Sequence, residues 1–223
     1  MTLARKIGLM NNGLLQQYAK PLTVYNMPSN IFVGDFVGNP SINYVNAKGK
    51  QVNDEIELTI FDNLQVSFKP EAGFDLNKWY QEEKELMDNK AKEHALKEKE
   101  KGYVEKENKD TLFKYNIALI NDFGFDENIE LTQEDFVLGI RPENIEVNDS
   151  SNVKASIYSS MPTGMETTIR IAYDNYLLTG VMFGGVVYEL GQEVRFDVTG
   201  NNVMLFSRKS GRLISLGSLN INK

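Results

Sequence analysis

The chain has 223 residues, 41% of them hydrophobic with 12 Phe among them, a formal charge of −7 and no cysteine. That length and apolar content support one large or two small domains with a real core, and the lack of cysteine excludes disulfides, thiolate metal sites and a catalytic thiol, as fits a reducing compartment. No run approaches the roughly 20 apolar residues of a membrane span, the start lacks a secretory apolar region, and the acidic balance lacks the clustered Lys and Arg that neutralise phosphates, so neither direct membrane insertion nor a nucleic-acid partner is expected.

Two short apolar runs, Arg5 to Met10 and Leu14 to Tyr18, flank Asn12-Gly13, a dipeptide that accepts the positive φ angles of a two-residue hairpin turn. A β-hairpin is expected there. Pro21 can open a short helix because its missing N–H is an orphan at that position anyway, and Pro28 should stop it. Ser29 then offers a cap oxygen to a second helix that carries Phe32, Val33, Phe36 and Val37 on one apolar side and ends at Gly38 and Pro40.

From Ser41 the period changes to that of a strand. Ile56, Leu58 and Ile60 alternate with polar neighbours, Asp62-Asn63 marks a turn, and Leu64, Val66 and Phe68 follow. Residues 76–109 are dense in Lys and Glu, without proline and with one glycine, and pairs such as Asp88 with Lys92 and Glu93 with Lys97 stand at helical spacing, so the pattern predicts a long exposed helix. Its apolar stripe is narrow: Leu76, Tyr80, Met87, Ala91 and Ala95. The acidity of the chain is concentrated here, since residues 75–135 hold 17 of the 31 acids but only 10 of the 24 bases. A second helix is expected from Thr111 to about Asn121, ended by Gly124.

After residue 135 the strand signal returns at Phe136 to Ile140, Val153 to Tyr158, Thr167 to Tyr173, Tyr176 to Phe183, Val194 to Val198, Val203 to Phe206 and Leu213 to Leu216. Short strands separated by Gly, Asn and Asp indicate a small barrel or sandwich. The strand at Gly139-Ile140-Arg141-Pro142-Glu143 ends on a proline that fixes its exit angle, which leaves Arg141 and Glu143 to clamp neighbouring backbone or to pair across a turn.

Chemistry is sparse. No window fits Gly-x-x-x-x-Gly-Lys-Ser/Thr, whose backbone N–H groups and lysine hold phosphates, and Gly49-Lys50 lacks both the upstream glycine and the following hydroxyl. His94 is the only histidine and sits among charges, so it reads as surface rather than metal ligand. The paired carboxylates Asp54-Glu55 and Glu82-Glu83 lie in charge-rich surroundings with nothing to raise their pKa, and no serine stands in a nucleophile elbow. No catalytic, cofactor-binding or metal residue is assigned.

The stretch from Asn12-Gly13 through Pro21-Leu22-Thr23-Val24-Tyr25, Pro28-Ser29-Asn30-Ile31-Phe32-Val33 and Phe36-Val37-Gly38-Asn39-Pro40-Ser41-Ile42-Asn43-Tyr44 resembles the ATP-binding subunits of carbohydrate ABC importers of maltose type. Gly139 to Glu143 matches a second marker of that family. The region 153–217 is similar in pattern to its TOBE element, half of a small oligonucleotide-binding (OB) type barrel, with Gly164 and Glu166 where the family often has Gly-x-Glu before a strand. Ser159-Ser160-Met161-Pro162 departs from the usual apolar run there, and residues 177–183 lack an arginine often found in the family.

The resemblance implies residues 1–40 as the end of a nucleotide-binding domain, with its catalytic residues upstream of Met1, and 41–223 as a regulatory domain carrying a helical insertion at about 72–135 that has no counterpart in the family. The expected fold is therefore mainly β, an OB/TOBE-like barrel with a helical insertion and a short α/β remnant. The Leu-Ser-Gly-Gly-Gln signature and the strand ending in Asp-Glu that an ABC ATPase needs are absent, so ATP and magnesium are expected only in the missing domain. The implied role is regulation and dimerisation of an importer ATPase, cytoplasmic and peripheral to the inner face of the membrane. Its implied partners are a second copy through the regulatory domain and the membrane permease subunits, and Arg141, Glu143, Gly164 and Glu166 are the regulatory or interface candidates. The alternatives are a module binding a sugar or oxyanion at the glycine turns of Gly164, Gly184-Gly185 and Gly191, or a domain that docks another protein.

Overall fold

A computed structural model describes residues 4–101, 115–121 and 130–221 of the chain. The N-terminal hairpin forms as its sequence dictates: β1 (Ile7–Asn11) and β2 (Leu14–Ala19) pair antiparallel, and Asn12 and Gly13 between them take φ 48° and 83°, the mirror-image turn that an L residue other than Asn or Asp resists. Helix α1 (Pro21–Asn26) opens on its proline, and α2 (Ile31–Phe36) follows. The cap of α2 is Asn30, whose side-chain oxygen accepts from Val33 N at 3.0 Å. Ser29, expected in that role, instead donates its hydroxyl to Gln16 O at 3.1 Å, because its backbone is tied to the hairpin. Of the expected apolar side of α2, Val33 and Val37 are buried with Leu9 and Val24, whereas Phe36 is 69% exposed. Six residues make too little helix for one face to bury all four.

Strands β3 (Asn43–Val52), β4 (Glu55–Ile60) and β5 (Leu64–Pro70) form a meander. The chain then leaves through α3 (Leu76–Lys101), the long charged helix, and returns in β6 (Asp135–Ile140), which pairs with β3. The expected continuation of that helix over 102–109 lies outside the described residues. The expected helix over Thr111–Asn121 is not one where it is described, residues 115–121: Leu119 bridges Tyr176, Leu177 N donates to Ala118 O at 2.8 Å, and Ile120 N donates to Asn175 O at 2.8 Å. An open strand edge satisfies this backbone in extended form, overriding its apolar helical spacing.

A 3-10 turn at Pro142–Asn144 leads to β7 (Ile145–Val147), β8 (Lys154–Pro162), β9 (Glu166–Tyr173), β10 (Tyr176–Phe183) and β11 (Glu193–Val198), a five-stranded sheet in the order β10-β9-β8-β11-β7. The chain closes with β12 (Val203–Ser207) and β13 (Leu213–Asn220). These complete a closed barrel in the order β12-β13-β5-β4-β3-β6, so the protein is mainly β with an OB-like small barrel at its centre. The segment 153–217 is therefore not half of one barrel. Its first four strands belong to the second sheet and only its last two to the barrel, since β12 pairs with β6 and β13 with β5 across long sequence separations.

Period-2 alternation places Ile56, Leu58, Ile60, Phe68, Phe136 and Leu138 inside the barrel. They share one core with Ile157, Ile169, Ile171 and Phe196 of the second sheet, so barrel and sheet are packed together rather than merely linked. Ile31 of α2 joins a neighbouring cluster with Ile42, Tyr44, Val137, Met204 and Phe206. Among the described residues no helix is long and apolar enough to cross a membrane.

Candidate functional site

Arg141 leaves the end of β6 and is 1% exposed, the largest fully buried side chain among the described residues. Its guanidinium reaches back more than a hundred residues. Nη2 donates to Tyr25 O at 2.8 Å, and Nη1 donates to Val37 O at 2.5 Å and to Gly34 O at 3.3 Å. Tyr25 and Gly34 lie in the last turns of α1 and α2, and Val37 is the residue that caps α2. Helix ends leave their final carbonyls unpaired, and a cation there satisfies them while complementing the partial negative charge. Neither short helix has a basic residue in its own last turn, so one distant arginine caps both.

The guanidinium carbon also lies 4.0 Å from the centroid of the Tyr25 ring, a cation–π contact. The Tyr25 hydroxyl donates to Glu143 Oε1 at 2.7 Å. Arg141, Tyr25 and Glu143 thus form one unit, with Pro142 turning the chain so that the two charged residues approach Tyr25 from different sides. Burial lowers the pKa of Arg141, opposed by Tyr25, Tyr44 and Glu143. Burial, then the bond to Glu143, pushes the Tyr25 phenol up to about 12. Arg141 Nε has no hydrogen-bond partner among the described residues. A buried guanidinium held by carbonyls and a ring, with no ion pair among the described residues, has the character of a positioned structural cation.

Two further contacts surround this junction. Asn43 Nδ2 donates to Ile140 O at 3.1 Å and to Thr179 O at 2.8 Å, while its Oδ1 accepts from Thr179 N at 2.7 Å, which sews the barrel to β10 beside Arg141. Tyr44 donates to Ile31 O at 2.6 Å and burial raises its pKa strongly. On the other side of α2, Ile31 N donates to Gly211 O at 2.9 Å and Leu213 N to Ser29 O at 3.1 Å, so the β12–β13 turn holds the start of that helix. Arg212 in the same turn lies over the Trp79 ring of α3 at 5.9 Å and 4.0 Å from Glu83, which also accepts from the Ser210 hydroxyl.

The four residues expected from sequence therefore fall in two places. Arg141 and Glu143 stand at the junction. Gly164 and Glu166 stand at the exposed tip of the β8–β9 hairpin, where Gly164 has φ 87° and Glu166 opens β9. Tyr25, Asn43 and Arg212 were not singled out. Tyr25 and Asn43 lie within the stretch that carries the family resemblance, whereas nothing local marks Arg212. Of the glycine turns considered for an oxyanion, two N–H groups are engaged: Gly184 N donates to Met165 O at 3.0 Å and Gly191 N to Ile157 O at 2.8 Å. The His94 side chain lies outside the described residues, and among those described no group of three or more His, Cys, Asp or Glu could hold a metal.

No family model matches the chain. It is 41% identical over 63 residues, 27% of its length, to an uncharacterised ABC transporter ATP-binding protein, YcjV, of Escherichia coli O6:H1, and covers 18% of that protein. It is 36% identical over 73 residues, 32% of its length, to the sn-glycerol-3-phosphate import ATP-binding protein UgpC of Bartonella bacilliformis, covering 21% of it. A longer match, 29% identical over 135 residues and 60% of the chain, is to the maltose/maltodextrin import ATP-binding protein MalK of Aliivibrio fischeri, of which it covers 33%. The chain spans well under half the length of these curated relatives. Its similarity is to ATP-binding subunits of ABC importers.

Proposed function

We propose that this chain is the regulatory and dimerisation part of the ATP-binding subunit of a carbohydrate ABC importer, in which the barrel and its attached sheet steady a motor that they do not themselves power. The observation that carries this reading is the Arg141 unit, which binds the two short helices of the first 40 residues to the end of a barrel strand at the two stretches that resemble the family. The relatives' printed roles in maltose/maltodextrin and sn-glycerol-3-phosphate import support it. So does the surface of the N-terminal elements, where Met10, Leu14, Leu15, Tyr18 and Leu22 are exposed. A two-stranded hairpin is marginal alone, and its apolar outer surface fits a nucleotide-binding domain packed against it.

The residues present do not fit a nucleotide, because no phosphate-holding loop or catalytic carboxylate strand occurs in the sequence. ATP and magnesium belong to the remainder of the parent protein, whose location in this reading is the cytoplasmic side of the membrane, beside the permease subunits. The contribution of this part is mechanical: a lasting contact between two copies fixes one end of the assembly, so closure elsewhere becomes rotation rather than separation. Size-exclusion chromatography with light scattering tests the reading. A dimer is expected, and a strict monomer at the highest attainable concentration counts against it.

A further inference from the structure

Helix α3 is seated on the barrel by its first turns and then leaves it. Leu76 is buried and Trp79 and Tyr80 pack against the core, whereas every residue from Lys84 to Asn89 is exposed. A helix of 26 residues is about 39 Å long, so a short seat carries a long arm. At the edge of the seat stands Glu83, whose side chain is only 13% exposed. It accepts from the Ser210 hydroxyl and lies 4.0 Å from Arg212 Nη1, while the Arg212 guanidinium stands 5.9 Å from the Trp79 centroid. A carboxylate this far out of water needs such donors, and they tie the position of α3 to the β12–β13 turn.

That turn is tight: Ser207 N donates to Arg212 O at 2.9 Å, Gly211 N donates to Ser207 O at 2.8 Å, and Gly211 has φ 68°. Arg212 is its pivot. The Arg212 side chain faces α3, and its backbone forms an antiparallel bridge with Asn30, closed by Ile31 N on Gly211 O and Leu213 N on Ser29 O. Ser29 and Asn30 are in turn held to β2, since Ser29 N donates to Gln17 Oε1 at 2.8 Å and Asn30 Nδ2 to Gln16 Oε1 at 2.9 Å. Asn30 is also the cap of α2. Polar contacts therefore run from Glu83 to the start of α2 and to the hairpin, with one short turn between.

We propose that α3 is a lever on the N-terminal elements: the turn from Ser207 to Leu213 relays the position of its seat to the start of α2, so a load on the exposed arm changes how firmly α2 and the hairpin are held. The relay goes beyond the importer reading and does not need it. Within that reading it gives the helical insertion a route to the motor, because α2 and the hairpin are there the end of the nucleotide-binding domain. Close-packed elements and a tight turn deform little, so a displacement at one end is passed on, and coupling of this kind acts in both directions.

Hydrogen exchange of the full chain, followed by NMR at single amides, tests the relay in both directions. Glu83→Ala and Ser210→Ala each break the link at the seat. Each should speed exchange of the Ile31 and Val33 amides of α2 by roughly tenfold or more, with strands β8 to β10 unchanged as the control for general loss of stability. Ser210→Ala removes one hydroxyl and leaves the backbone bonds of the turn in place, so it still reads the link where Glu83→Ala loosens α3 as a whole. Gln16→Ala breaks the far end, and should shift the emission of Trp79, the single tryptophan, although Gln16 touches Asn30 and Ser29 rather than α3. Faster exchange confined to α3 and the turn, with Ile31 and Val33 unaffected, overturns the relay, as does a Trp79 spectrum that ignores Gln16→Ala.

Discussion

Tyr25 and Arg141 hold each other from both ends of the tyrosine: the guanidinium lies 4.0 Å from the ring centroid while its Nη2 donates to the Tyr25 carbonyl at 2.8 Å. One side chain thereby fixes the ring and the helix end that carries it. The first prediction concerns this cation. Arg141→Met retains much of the apolar stem but strips partners from three carbonyls, and should lower unfolding stability by about 2–4 kcal/mol, read from urea denaturation midpoints. Arg141→Lys should recover only part of this, because a compact ammonium cannot reach both helix ends in the planar geometry of a guanidinium. Full stability in the lysine variant would remove the two-helix cap as an explanation.

The second prediction is an alkaline instability. An unfolded tyrosine ionises near pH ~10, whereas folded Tyr25 keeps its proton up to about 12 because it is buried and bonded to Glu143. Between those values the unfolded state releases a proton that the folded state retains, so stability is present in full below the lower value and falls as pH rises towards the upper one. Tyr176, held up to about 12 by burial and its bond to Asp62, adds to the same slope. Tyr25→Phe should make the decline of the urea midpoint with pH shallower, and an unchanged slope would contradict the assignment.

Gly38 offers a third test. Its φ of +121° is one that L side chains rarely adopt, and a Cβ there would stand 3.1 Å from Arg141 Nη1 and 3.2 Å from Pro40 O. Gly38→Ala should cost about 1–3 kcal/mol through backbone strain and displacement of the guanidinium. Gly13→Ala shares a positive φ but meets nothing within 4 Å, so it should cost less, about 1 kcal/mol. Equal losses at both positions would mean that crowding against Arg141 contributes nothing.

The single tryptophan provides a fourth. Arg212 lies 5.9 Å from the Trp79 centroid and 4.0 Å from Glu83, tying α3 to the turn that holds the start of α2. Arg212→Ala should shift Trp79 emission to longer wavelength as the ring gains water. It should change global stability by less than about 1 kcal/mol, because partly exposed ion pairs contribute little. An unchanged emission spectrum would show that Arg212 does not hold α3 in place.

Much of the fold was legible locally. Asn12-Gly13 announces its hairpin, Pro21 opens its helix, and the alternation at Ile56, Leu58 and Ile60 or at Thr167 to Tyr173 marks strands, because side-chain direction repeats every two residues in a strand and every 3.6 in a helix. Arg141 and Glu143 were legible as a clamp at a strand end, though not what they clamp. Residues 115–121 show where local periodicity misleads: the apolar spacing suits a helix, yet the edge of β10 offered backbone partners and the segment runs extended.

The sequence by itself determined the kind of elements, the charged helix interrupting a β protein, and the two stretches that resemble an importer subunit. Tertiary structure alone decided which strands close the barrel and which form the second sheet, that Asn30 rather than Ser29 caps α2, and that Arg141 caps two helices more than a hundred residues away. The physical reason is range. Propensity and period act between neighbours along the chain, whereas pairing of β12 with β6, or of a buried cation with distant carbonyls, exists only after the core has brought those groups together.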